Sequence, residues 1–231
     1  MNGLILDIFV VLIFLIFLVI GFRSGVMKSF LFLAGAVFAV LFSVYFANIL
    51  SKCIYVTFIE PSIIKEISRL IAENSLNAGQ IFSKLPKFIL NSLPSYGITP
   101  ASINHIINNN STVATIPGKI SELFSPVIIN VLKSVLTALL FIIFLLLTRI
   151  FSRLILKIFK MSLLKKPNAL LGGFFGLFKG YIALTVCMCC LKSLLPVAQN
   201  VPDILSPESI SSTFIFKELY NNNPVYELFK N

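Results

Sequence analysis

The side chains able to ligate metal or act as nucleophiles are few and scattered. Cysteine occurs at 53, 187, 189 and 190, and histidine once, at His105. The run Cys187, Met188, Cys189, Cys190 offers thiolates, which soft metals prefer. On a helix, however, consecutive positions point in different directions, and no histidine or carboxylate lies near in sequence. The run therefore reads as small side chains on a packed helix, and no metal or other cofactor is expected. A single cysteine elsewhere, Cys53, leaves no disulfide framework. His105 stands among asparagines with no acid or nucleophile patterned around it. Nucleophile elbow, zinc-helix, phosphate-loop and dinucleotide motifs are all missing. The chain is expected not to be an enzyme.

The charged residues say more. Asp7 precedes Arg23 by 16 residues, and Lys133 precedes Arg149 by 16. At 1.5 Å per helical residue each lies roughly 24 Å from its arginine, so the two share a depth. They are expected either to form an intramembrane charge pair, Asp7 with Lys133, or to snorkel separately to the outer interface. Arg149, Arg153 and Lys157 recur every fourth residue, with Lys160 three later, making a basic stripe on one helix. Such a stripe attracts anionic lipid headgroups, at about 1 kcal/mol per charge near the surface.

These charges must be positioned by apolar elements. Of 231 residues 57% are hydrophobic and only 12% charged, with 23 Phe and no Trp; mean hydropathy is +0.95. A soluble domain carries about a quarter charged residues. Four windows have the length of about 20 residues that a bilayer requires: Leu4–Phe22, Val26–Ile49, Val127–Thr148 and roughly Leu177–Leu195. The first resembles no secretory signal, since Asp7 stands where a basic region belongs. The expected fold is an all-α integral membrane protein of four transmembrane helices arranged as two hairpins. Its segments are a first hairpin (1–50), an extracytoplasmic amphipathic stretch (51–126), a second hairpin with a basic connection (127–195) and an extracytoplasmic tail (196–231).

Charge sets the orientation. All nine acids lie at 7, 60, 66, 73, 122, 203, 208, 218 and 227. The two short connections and their flanks carry Arg23, Lys28, Arg149, Arg153, Lys157, Lys160, Lys165, Lys166 and Lys179 without one acid. Basic residues near spans stay cytoplasmic, so both termini are expected outside. That topology also accounts for the net charge of +10, and no nucleic-acid partner is expected.

Two stretches share the pattern G-x-x-x-G-x-x-K: Gly21, Gly25, Lys28 and Gly172, Gly176, Lys179. They suggest duplicated hairpins, each motif at the cytoplasmic entry of an outward-running helix, with Lys179 one or two turns in. Lipid supplies no hydrophobic drive between helices, so small residues that admit close approach carry much of the packing. Gly176, Gly180, Ala183, Cys187 and Cys190 form such a seam on the last span, and Gly35, Ala39, Ser43 and Ala47 on the second. Both faces are expected at helix contacts, with each other as one arrangement.

The outer stretch holds amphipathic pieces. PSIIKEISRLIAENS sets Ile63, Ile64, Ile67, Leu70 and Ile71 against Lys65, Glu66, Arg69 and Glu73; GQIFSKLPKFILNSL, PASINHIINNNS and IPGKISELF follow. All are expected as helices lying on the outer leaflet or capping the bundle. PESISSTFIFKELYNN in the tail is expected as one more.

With these residues in view, LDIFVVLIFLIFLVIGFRSGVMKSFLFLAG resembles the opening of the colicin V production protein (CvpA) family, through Leu6, Asp7, Gly21, Arg23 and Gly25. RIFSRLILKIFK followed by NALLGGFFGLFKGYIAL resembles its second half, through Arg149, Arg153, Asn168, Gly172, Gly176, Lys179 and Gly180. PESISSTFIFKELY is similar to its serine-containing ending. The resemblance covers the hairpins, about half of the chain, and not 51–126. It implies a bacterial inner-membrane protein needed for production or export of a peptide toxin, or more broadly for envelope maintenance. Some members carry a trypsin-like periplasmic protease domain; no such domain is recognised up to Asn231, and that activity is not carried over. The expected role is a scaffold or accessory factor, partnered by an envelope protein or by further copies of itself. The other reading is a channel or transporter subunit for a small solute or peptide.

Overall fold

A computed structural model describes residues 2–73, 79, 81, 89–90, 93–109, 113–158, 167–198 and 201–230. Among the described residues all regular structure is helical. The long elements are α1 (Asn2–Ser24) and α2 (Val26–Ile54), the latter continuing through a π-helical turn (Tyr55–Ile59) into α3 (Glu60–Ala72). A short α4 (Pro100–Asn109) precedes α5 (Ile116–Ile158) and α6 (Pro167–Leu194), and the tail forms α7 (Pro207–Ser211), α8 (Ile215–Asn221) and α9 (Pro224–Lys230). Four helical stretches are long and apolar enough to cross a membrane: Gly3–Ser24, Val26–Ala72, Ile116–Ile155 and Ala169–Leu194. The chain is a multi-pass, all-α membrane protein.

Two elements are longer than their apolar windows. Helix α5 begins at Ile116, so IPGKISELF is its first turns and no separate piece, and Pro126 lies inside it. Proline forfeits one helical hydrogen bond, but packed membrane helices tolerate that loss. Helix α6 begins at Pro167, because its glycines dilute hydropathy without interrupting the helix. Lys179 therefore lies more than three turns into α6, deeper than its window implied. Lys160, Lys165 and Lys166 lie outside the described residues, as do most of GQIFSKLPKFILNSL and the side chains of Lys157 and Asn168.

The described chain divides into two compact units. One comprises 1–46, 136–192 and 201–231. In it α1 and α6 cross with their backbones in contact. A methyl on Gly172 would stand 2.6 Å from the Gly21 carbonyl oxygen and 3.0 Å from the Gly25 carbonyl carbon. Methyls on Gly21 and Gly176 would meet the carbonyl oxygens of Gly172 and Phe17 more closely still. Gly180 faces the Phe17 side chain. On α2, a methyl on Gly35 would stand 2.7 Å from Cβ of Thr148 on α5. Thus the glycines of α6 meet α1 and that of α2 meets α5; the two glycine faces do not meet each other. Further along, Ala39, Val40 and Val44 of α2 share a core with Phe141, Val186, Cys189 and the tail residues Val225 and Phe229. Ser43 is fully buried and donates to the Val40 carbonyl at 2.9 Å. Ala183 is half-buried, while Cys187 is exposed and Cys189 buried. Cys187 is therefore turned away from the seam, while Cys190 stays packed against this core.

Gly25 differs from the packing glycines. It joins α1 to α2 at φ +74°, a conformation that glycine adopts without Cβ strain, and nothing occupies the space a side chain would take. Its N–H donates to the Gly21 carbonyl at 3.2 Å, closing α1, while Ser29 N–H donates to the Gly25 carbonyl at 3.0 Å. The aligned Gly176 is mid-helix. The repeated motif is thus similar in sequence but has two backbone shapes.

The tail is held to the same unit. Expected as one helix, PESISSTFIFKELYNN breaks between Ser211 and Ile215. Phe214, the residue preceding α8, has no capping side chain. Asp7 reaches across from α1 instead: its carboxylate accepts from the backbone N–H groups of Phe214 (2.7 Å), Ile215 (3.0 Å) and Phe216 (2.9 Å). Thr213 Oγ1 accepts from the Lys217 N–H at 2.9 Å. The donors that a helix start leaves open are thus satisfied, and Asp7 has partners that the charge-pair expectation did not contain. Lys133 is buried on α5, in the other unit. Asn223, 2% exposed, precedes α9; it accepts from the Val225 and Tyr226 N–H groups and donates to the Thr185 carbonyl of α6 at 2.7 Å. Lys192 Nζ donates to the Tyr220 carbonyl at 3.2 Å and lies 4.6 Å from the Tyr226 ring centre.

The second unit comprises 47–135 and 193–200. Ile67 and Leu70 of α3, Ile103 of α4 and Ile116, Ile120, Phe124, Val127 and Ile128 of α5 enclose a hydrophobic core. The amphipathic pieces thus pack around a core of their own, with Arg69 bridging Glu66 and Glu73 on the exposed face of α3. Tyr55, set by the π turn, is buried there and hydrogen-bonds the Ser121 carbonyl (2.6 Å) and hydroxyl (2.8 Å).

Candidate functional site: a cationic cavity among the membrane helices

Four of the basic residues singled out by spacing converge. Lys28, Arg149, Arg153 and Lys179 line one cavity of about 470 Å³, together with Ser24, Thr148, Phe32 and aliphatic side chains of α1 and α5. Each side chain has a structural reason to be there. Lys28 is in the first turn of α2, aimed by the Gly25 turn. Arg149 and Arg153 are one helical turn apart on α5, so they share a face. Lys179 rises from α6 where that helix touches α1 through glycine.

Aromatic rings hold the lysines. Lys179 Nζ lies 5.0 Å from the centre of the Phe32 ring and 5.8 Å from that of Phe17. Lys28 Nζ lies 5.8 Å from the same Phe32 ring. A cation over a ring face within about 6 Å is attracted by the ring quadrupole. The two lysines of the repeated motif therefore meet at one phenylalanine. Spacing showed the lysines and missed Phe32, whose position four residues after Lys28 was the available signal.

Among the described residues no carboxylate lines this cavity. Asp7, on α1, is engaged at the tail, about 25 Å along the helix from Ser24 at 1.5 Å per residue. The lining thus has donors and positive charge without a protein counter-charge. It can hold and orient an anion. Of the remaining basic residues, Arg23 is exposed and outside the lining.

A scan against family models matches residues 118–222 to the colicin V production protein family. The matched region runs through α5 and α6 to the end of α8, and so includes Arg149, Arg153 and Lys179. No curated protein and no solved structure matches the chain.

Proposed function

We propose that this chain, whose residues 118–222 form a colicin V production protein domain, acts in the bacterial inner membrane as a non-enzymatic scaffold or accessory factor for toxin production or secretion, or for envelope maintenance. The family domain is the observation that carries this reading. It covers two of the membrane helices and the tail segment that Asp7 fastens to α1. The basic C-terminal ends of α1 and α5 and the basic first turn of α2 are assigned to the cytoplasm by the rule that cations flanking spans stay inside. Both termini then lie outside; a reporter fused in the basic connection at Lys165 is expected to be active only in the cytoplasm. An envelope protein or a second copy is the proposed partner.

The cationic cavity favours a second reading, a path for a small anionic solute. One experiment separates the two. The tagged full chain is cross-linked in membranes, purified, and also reconstituted into proteoliposomes. Stoichiometric recovery of one envelope protein, with no solute flux, supports the scaffold. Solute flux that is lost on Lys179→Met, with no recovered partner, overturns it in favour of permeation.

A further inference from the structure

We propose that the cavity lined by Lys28, Arg149, Arg153 and Lys179 is a binding site for a phosphate group, carried by an anionic lipid headgroup or by a free phosphate compound. This goes beyond the scaffold role and does not depend on it. Four independent features of the cavity lead there.

The first is charge without compensation. Four cationic side chains from three helices line one space, and none of the chain's nine acids is among the lining. Like charges gathered beside a low-dielectric wall repel. An assembly of this kind is stable when an anion enters it. A simple snorkelling array would instead spread its cations along the interface.

The second is geometry. Arg149 and Arg153 present two guanidinium forks from one helical face, and such forks pair bidentately with phosphate oxygens. Lys28 and Lys179 approach as point charges from α2 and α6. The donors thus surround the space.

The third is the placement of Lys179. It is half-buried, more than three turns into α6, and held by Phe17 and Phe32. A cation so placed is costly for topology alone, and within membrane segments ionisable residues mark sites. The glycine contact of α1 with α6 is what allows this lysine to reach Phe17 and Phe32.

The fourth is size and the remaining wall. About 470 Å³ falls in the range of small-ligand pockets. Ile20, Ile142, Leu145 and Leu146 complete the lining, and Ile20, Ile142 and Leu146 are themselves exposed on α1 and α5. A charged group beside an apolar wall open to lipid matches a phospholipid, with its phosphate on the cations and its chain along Ile142 and Leu146.

The test uses the full chain in a neutral detergent, with thermal unfolding followed by circular dichroism and affinity read from titration. Short-chain phosphatidylglycerol, short-chain phosphatidylcholine and inorganic phosphate are the three probes. Phosphatidylglycerol is expected to raise the midpoint saturably and phosphatidylcholine not to. Equal stabilisation by inorganic phosphate assigns the site to free phosphate; stabilisation by phosphatidylglycerol alone assigns it to the headgroup. Arg149→Gln and Lys179→Met are each expected to weaken binding about tenfold or more, as loss of a charge-assisted bond does. Arg23→Gln, outside the lining, is expected to change it less than about twofold. Without ligand, Lys179→Met is expected to unfold no earlier than the parent, since repulsion is relieved. Should either variant fail to fold, Lys28→Gln and Arg153→Gln, both at exposed positions, carry the same test. Binding of phosphatidylcholine equal to phosphatidylglycerol, parental affinity in the neutralised variants, or no stabilisation by any anion overturns the proposal.

Discussion

The contact of α1 with α6 is the load on which the cavity rests, and alanine substitution measures it. A methyl on Gly172 would stand 2.6 Å from the Gly21 carbonyl oxygen, and one on Gly176 would meet the Phe17 carbonyl oxygen and stand 3.1 Å from the Gly21 Cα. Non-bonded heavy atoms settle near 3.5 Å, so the helices must part by about 1 Å. The obstacles are main-chain atoms, which cannot rotate aside. Overpacking of this kind costs about 1–3 kcal/mol. At Gly180 the nearest atom is the Phe17 Cβ, 3.1 Å away, and the ring beyond it can shift; Gly180→Ala is expected to cost under about 1 kcal/mol on the same scale. Gly118, on α5, has nothing within 4 Å of an added methyl. Gly118→Ala is therefore expected to be neutral or stabilising by up to about 1 kcal/mol through helix propensity. The assay is reversible unfolding of the full chain in mixed micelles, followed by circular dichroism. The expected order of loss is Gly21→Ala and Gly176→Ala, then Gly172→Ala, then Gly180→Ala, with Gly118→Ala last. If Gly118→Ala costs as much as Gly176→Ala, or Gly176→Leu leaves stability unchanged, close backbone packing is not what joins these helices.

The polar fastenings give three further expectations. Asp7→Ala removes the acceptor for three backbone donors of the tail and is expected to cost about 2–3 kcal/mol; hydrogen exchange at Phe214, Ile215 and Phe216 should accelerate, and unchanged protection there refutes the cap. Asn223→Ala leaves the Val225 and Tyr226 donors open and breaks the link to α6, an expected loss of about 2 kcal/mol with earlier proteolysis after Asn222. Tyr55→Phe keeps the ring but loses both Ser121 bonds, an expected loss of about 1–2 kcal/mol by the same unfolding assay.

Much of this architecture is written in the order of residues. Four long apolar runs, a distribution of acids that avoids two connections, and basic residues one turn apart on α5 all follow from local composition and the helical period. The lipid environment makes these signals strong, because only helices satisfy their own backbone in hydrocarbon. The lengths were less legible. The apolar window of the third span opens only after Pro126, and glycine dilutes an apolar average, so α5 and α6 extend beyond their windows. Cys187 joined a small-residue seam by spacing alone, but the helix turns it outward while Cys189 enters the core.

Sequence by itself determined that this chain belongs to a bilayer, how many of its helices are long and apolar enough to cross one, and which residues carry its positive charge, since hydropathy and charge are local properties. Tertiary structure alone decided that Gly25 turns while Gly176 packs, that Asp7 caps a helix more than 200 residues away, and that Lys28, Arg149, Arg153 and Lys179 face one space. The physical reason is direction. Spacing fixes which side of its own helix a residue occupies, but which helix stands opposite depends on where backbones can approach, and that is settled only when all of them pack at once.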